Sequence, residues 1–258
     1  MGALSSTFTP KYQDPFKPLL PGFEVCPFND VDQLEGTLDR SFAAVIVEVI
    51  QGEGGLEKMN EEFVSALNRL SKEHDVLVIV DEIQTGLART GSLYAYQLVG
   101  LAPDIVTLSK PLAAGLPLSA TLIPERVDSL LRVGEHGTTF GGGPVTTAVA
   151  LEVWKTLSDA GFIAEVGAKG EFLARNLEEL KGKYPFLGRV KGDGLLRGIE
   201  VNEIDIPKVL TAAQEAGLLI LRSGQNVLRL VPPLIISEDE LLQGIGILDQ
   251  VFKKFKEV

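Results

Sequence analysis

The chain has 258 residues, 45% of them hydrophobic and 23% charged, with a net charge of −11 at pH 7. That is apolar material for one large core or two unequal ones, and an acidic balance that excludes nucleic acid or an anionic membrane as a partner held by the global field. A single cysteine, Cys26, excludes an internal disulfide, and two histidines, His74 and His136, leave little for a metal centre. No apolar stretch reaches the roughly 18 residues of a membrane span, and the first ten residues lack a basic region followed by an apolar one, so the chain as given reads as cytoplasmic.

Loop-like sequence rich in Ser, Thr and Pro comes first, which is unusual before a large sheet and predicts that further elements precede it. Residues 43 to 50 (AAVIVEVI) form the first strand candidate. Asn60 to Asp75 then carries Phe63, Leu67 and Leu70 on one helical face, and Val76 to Val80 is a continuous apolar run, β-branched except at Leu77, as expected of a strand buried on both faces of a parallel sheet. Strand, helix and strand in this order make a βαβ unit. The strands at 104 to 109 and 118 to 123 extend the same sheet. A glycine-rich stretch from Gly134 to Pro144 precedes a helix through Val149, Val153, Trp154 and Leu157.

Beyond Gly161 the pattern shifts to a compact α+β region. It begins with a helix carrying Phe162, Val166, Leu173, Leu177 and Leu180, followed by short strands between Gly188 and Val201 and a helix over 206 to 216. Strands at 218 to 222 and 226 to 231 follow. The last helix opens with Ser237 and Glu240 at capping-box spacing and places Leu241, Ile245, Leu248, Phe252 and Phe255 on one stripe. The expected organisation is a large α/β domain over 1–158, mostly parallel sheet flanked by helices, and a small α+β domain over 159–258.

Two side chains stand out at strand ends. Asp81 closes the Val76 to Val80 run, and Lys110 closes the run from Asp104. Ligands of such sheets collect beyond the carboxyl ends of the strands. A lysine able to form a Schiff base and an acid able to partner a pyridine nitrogen point together to pyridoxal phosphate. Taken singly, Lys110 also reads as a lysine snorkelling to solvent and Asp81 as a cap. Gln84 and Ile83 follow Asp81 closely enough to touch a ring. Thr138 and Thr139, beside Gly141 to Gly143, offer donors for a phosphate. Glu48 and Arg229 each interrupt an apolar strand, so each needs a partner; they are expected to pair with one another, or to open for a substrate carboxylate.

The motifs Lys11 to Pro15, Val47 to Gly55, Asp81 to Gly86, Leu108 to Leu112, Gly134 to Gly142 and Arg229 to Pro233 occur in the order found in class III, or ornithine-type, pyridoxal phosphate aminotransferases. The chain resembles these enzymes along nearly its whole length, most closely the acetylornithine aminotransferases and in particular fungal ones. The resemblance implies the fold-type I transferase architecture and, for Lys110, the Schiff-base lysine and proton shuttle. It also implies Asp81 as pyridinium partner, Gln84 as ring-hydroxyl contact, Ile83 as ring-packing residue and Thr139 as phosphate ligand across a homodimer interface. Thr138 would lie near substrate, Arg229 would bind the α-carboxylate, and Glu48 would pair with it or steer the amine. The implied reaction is amino transfer from N-acetylornithine to 2-oxoglutarate in arginine biosynthesis. The alternatives are an ornithine or 4-aminobutyrate type of aminotransferase and a truncated, catalytically impaired homologue that acts by association. Implied partners are an amino acid and a 2-oxo acid, with the mitochondrial matrix as the alternative location for a full-length fungal form. Val49 stands where the family usually has proline. The family's N-terminal portion, with its Gly-Thr/Ser-x-Ala phosphate loop, a ring-stacking aromatic and a Gly-Arg-Thr, is expected to lie upstream of Met1 and to be missing here. Its loss would weaken the hold on the cofactor.

Overall fold

The computed structural model describes residues 1–256 and contains two four-stranded sheets. In the first, β1 (Ala44–Val47), β2 (Leu77–Asp81) and β3 (Ile105–Leu108) run parallel in that order, and β4 (Ala120–Leu122) closes the edge antiparallel to β3. The β1 to β2 connection is the helix Glu61–His74. Asn60 caps its first turn by accepting from the Phe63 amide at 2.8 Å, and Asp75 ends it in the left-handed conformation. Phe63, Leu67 and Leu70 lie on its buried face, as the spacing requires.

The apolar run of β2 is not buried on both faces. Val78 and Val80 are fully covered, whereas Leu77, Ile79 and Asp81 are half-buried. The same alternation continues across the register, where Ile46 lies opposite Ile79 and Ile79 opposite Ile105. Ile46 is 48% exposed, so this face of the edge strand is open at that position. β1 is also shorter than the apolar pattern. Val49 and Ile50 are buried beyond its end, but Glu48 turns out of the strand to accept from the Gly52 amide at 2.9 Å.

The second sheet has the order β5 (Leu187–Asp193), β6 (Leu196–Val201), β8 (Val227–Leu230), β7 (Leu221–Ser223), all antiparallel. The helices Ala160–Lys183, Ile206–Glu215 and Glu238–Lys253 pack with it through Val166, Leu173, Leu177, Val209, Leu241, Leu248 and Phe252. The Ser237 and Glu240 capping box forms with both reciprocal bonds.

Contacts that tie the sheets together come from the loops after β1 and β2. Leu56, from the loop after β1, buries its side chain against Gly198 and Val227 of the second sheet; a Cβ at Gly198 would lie 2.7 Å from Leu56 Cδ1. Arg89, from the loop after β2, donates from Nη1 to the carbonyls of Pro232 at 2.6 Å and Leu195 at 3.1 Å. Burial with no acid beside it lowers the Arg89 pKa to about 10.

Candidate functional site

Asp81 ends β2 and faces Thr107 of β3 across the ladder. Its Oδ1 accepts from the Ile83 amide at 2.9 Å and from the Thr107 hydroxyl at 3.2 Å, which fixes the carboxylate while its Oδ2 takes no hydrogen bond among the described residues. The loop that follows is anchored from beneath by Glu82. This side chain is 1% exposed and accepts from the Thr85 hydroxyl at 2.6 Å and the Tyr96 amide at 2.9 Å. Burial pushes the Glu82 carboxyl above its ordinary range despite these bonds.

Lys110 follows β3 at the opening of a short 3-10 turn. Its φ of 37° is in the left-handed region, where a long side chain costs about 1 kcal/mol or more. The residue is exposed rather than buried at the end of an apolar strand, yet its amine sits among charges. Partial burial and the Arg229 guanidinium lower its pKa, opposed by Glu53, Glu48 and Asp81. These are the conditions under which a lysine gains neutral, nucleophilic character.

The expected ion pair between Glu48 and Arg229 is not the one formed. Arg229 lies in β8, 7% exposed, and its Nη1 donates to Glu53 Oε1 at 2.7 Å, to the Gly52 carbonyl at 2.5 Å and to Gln84 Oε1 at 3.3 Å. Gln84 Nε2 donates in turn to Glu53 at 3.3 Å. Glu48 makes no bond to Arg229 among the described residues; its Oε2 accepts from the Gly52 amide instead. The two acids consequently separate in acidity. Burial is the main cause that raises the Glu48 carboxyl, with Asp81 and Glu53 adding repulsion. Burial also opposes ionisation of Glu53, but the hydrogen bond and charge of Arg229 outweigh it and hold that carboxyl below its ordinary value.

Asp81, Gln84, Lys110, Arg229 and Glu48 therefore form one charge-coupled cluster, and Ile83 supplies the amide that holds Asp81. Thr138 and Thr139 sit in an exposed stretch and make no hydrogen bond to this cluster among the described residues. Sequence reasoning places Glu53 inside a motif without giving it a role, and passes over Thr107, Glu82 and Ser223. An acid set among glycines was the one available signal for Glu53. The arrangement fits the ring end of pyridoxal phosphate: the fixed carboxylate has a free oxygen, a lysine lies at the next strand end, and Arg229 Nε is buried without a partner among the described residues.

A mostly parallel sheet with an acid and a lysine beyond its strand ends, joined to an antiparallel α+β unit that contributes an arginine, is the architecture shared with fold-type I pyridoxal phosphate transferases. Solved structures with this architecture include an ornithine aminotransferase from Toxoplasma gondii (TM-score 0.93, 37% identity, covering 99% of this chain and 62% of that one). An acetylornithine aminotransferase from Elizabethkingia anophelis matches with a TM-score of 0.84 at 36% identity, over 93% of this chain and 62% of that one. The family model for class III aminotransferases matches residues 1–252, and the chain belongs to that family, whose members use pyridoxal phosphate. Among curated relatives, the mitochondrial acetylornithine aminotransferase of Neurospora crassa is 42% identical over 256 residues, 98% of this chain and 55% of its own length. The acetylornithine aminotransferase of Caldanaerobacter subterraneus is 39% identical over 255 residues, 99% of this chain and 65% of its own. The chain thus spans between 55% and 65% of the length of these two relatives.

Proposed function

We propose that this chain carries the lysine, acid and arginine portion of an aminotransferase that moves an amino group from N-acetylornithine to 2-oxoglutarate. The observation that carries the reading is the single cluster in which the Lys110 amine lies under the joint influence of Asp81, Glu48, Glu53 and Arg229. Acetylornithine is favoured as donor by the names of the curated relatives. Ornithine is the second reading, because the Toxoplasma structure named for ornithine has the TM-score of 0.93.

Pyridoxal phosphate, when bound, supplies an electron sink for the electrons released at the substrate α-carbon. The chain's own groups do the remaining work. Asp81, held by Ile83 and Thr107, has a free oxygen that would hold a proton on the cofactor's ring nitrogen. Lys110, its pKa lowered by partial burial and Arg229, would hold the cofactor and move the substrate α-proton. Gln84 would hydrogen-bond the ring hydroxyl, and Ile83 would pack on the ring. Arg229 takes the substrate α-carboxylate once Glu53 yields its place, and Glu48, its carboxyl raised by burial, faces the amine. In this reading Thr139 would hold the phosphate across a homodimer interface and Thr138 would lie near substrate. The large and small domains meet at 158/159, and the mitochondrial matrix is the location suggested by the fungal relatives' names.

The test is reductive trapping. The folded protein is incubated with pyridoxal phosphate, reduced with borohydride and mapped by mass spectrometry. A pyridoxyl group on Lys110 that Lys110→Ala abolishes is the expected result, whereas label spread evenly over surface lysines overturns the reading. Half-reactions with acetylornithine, ornithine and 4-aminobutyrate rank the donors, and a preference for either of the last two replaces the assignment.

A further inference from the structure

Ser223 is 1% exposed, and no step of the proposed reaction uses it. It ends β7 opposite Val227. Its hydroxyl donates to the Gly52 carbonyl at 2.7 Å and accepts from the Gly55 amide at 2.9 Å, so one side chain of the second sheet fixes both ends of the turn that carries Glu53. The Gly52 carbonyl is the same oxygen that accepts from Arg229 Nη1. Beneath the turn, the Gly224 amide donates to the Glu53 carbonyl at 2.9 Å, and a Cβ at Gly224 would lie 3.0 Å from Gly55 Cα.

We propose that Ser223 is a positioning residue: by fixing the Gly52 to Gly55 turn it sets how firmly Glu53 holds Arg229, and so sets the affinity of the site for carboxylate substrates. This rests on the reading of Arg229 as the carboxylate anchor. The Glu53 side chain is 70% exposed, and an ion pair with so exposed an acid contributes little unless its backbone is already in place. Ser223 provides that placement. A carboxylate that takes Arg229 Nη1 displaces Glu53, so whatever stabilises the closed turn is subtracted from the ligand's affinity. Without the hydroxyl, the Gly55 amide is buried with no acceptor and the Gly52 carbonyl has one donor fewer. Both groups are hydrated when the turn swings outward. The closed form loses, and a carboxylate binds more tightly, by about three- to tenfold because the Gly224 bond remains. A merely damaged site would bind more weakly.

The test is a glutarate titration followed by side-chain ¹⁵Nε–¹H NMR of arginine. Arg229→Lys removes one resonance and thereby identifies the reporter. The expected result is that glutarate shifts this resonance in the wild type and in Ser223→Ala, with a dissociation constant about three- to tenfold lower in the variant. A constant that is unchanged or higher in Ser223→Ala, with the Arg229 resonance still responding, overturns the role of Ser223 and leaves Arg229 as the anchor. An Arg229 resonance that glutarate moves in neither protein overturns the anchor itself, and the proposal with it. If Ser223→Ala does not fold, Ser223→Cys, a weaker donor of similar size, replaces it. The constant must then fall in the same direction by a smaller factor, and an unchanged or higher one counts against Ser223 equally.

Discussion

Glu82 lies between Asp81 and the Gln84 loop, and the way it is satisfied makes a quantitative prediction. Its buried carboxylate accepts from the Thr85 hydroxyl and the Tyr96 amide. Glu82→Ala orphans both donors, each at about 1–3 kcal/mol, for a total of about 3–5 kcal/mol with the space left behind. Glu82→Gln keeps its carbonyl oxygen for Tyr96 and turns its amide toward the Thr85 oxygen, losing only charge assistance, about 1 kcal/mol. In a chain of this size each kcal/mol moves the melting temperature by about 2–4 °C, so the alanine variant should melt on the order of 10 °C lower and the glutamine variant about 2–4 °C lower. The sign of the pH dependence is also set. The folded-state carboxyl is raised above its ordinary 4.5, so the protonated form favours folding and the contribution of Glu82 declines as pH rises from there through the raised value. Glutamine lacks this titration, so the gap between wild type and Glu82→Gln should be wider at about pH 5 than at about pH 8. Circular dichroism melts across that range make the measurement. Equal melting temperatures for the two variants, or a gap that widens with pH, would refute the reasoning.

The network on the second sheet behaves in the opposite sense. Burial opposes the charge of Glu200, but Arg189 at 2.9 Å and Lys191 at 2.8 Å bring its pKa down to about 2. Its contribution is complete above the ordinary 4.5 and is lost as pH falls from there toward 2. Arg189 is 68% exposed, so solvent limits that contribution to about 1 kcal/mol. Glu200→Gln should flatten the stability loss in this window in urea titrations, and an unaltered slope would count against it. At the candidate site, Asp81→Asn replaces a charged acceptor by a neutral one, and pyridoxal phosphate trapping on Lys110 should need about ten- to a hundredfold more cofactor. Trapping at the wild-type concentration would remove Asp81 from its role.

The elements most legible in the sequence are those decided by their own residues. Asn60, Asp75, Ser237 and Glu240 cap their helices locally, and the β2 pattern identifies its strand without reference to anything distant. What the pattern could not give is how much cover lies on the second face of β2, because that depends on elements remote in the chain. The same division runs through the site. Asp81 and Lys110 are legible because a charged residue ending an apolar strand must meet solvent, a cap or a ligand, and two such residues at adjacent strand ends favour the ligand. Gln84 is legible because it follows at once. Thr107 and Ser223 are ordinary strand residues until the ladder and the β7 turn bring them to Asp81 and Gly52.

The partner of Arg229 shows why composition along a strand misleads here. Glu48 and Arg229 look matched, since each is a lone charge in an apolar run. Pairing also depends on where the backbone carries each side chain, and Glu48 turns back to accept from the Gly52 amide of its own turn. That turn carries Glu53 to Arg229 instead, and the Gly52 carbonyl with it. Two acids five residues apart thereby acquire opposite characters, one raised by burial and one lowered by Arg229. Neighbouring carboxyls driven apart in this way can serve different roles at one pH. Here Glu53 is the acid that holds Arg229, and Glu48 is the acid whose ionisation burial opposes. Neither character follows from the residue type; burial sets one and the Arg229 guanidinium the other.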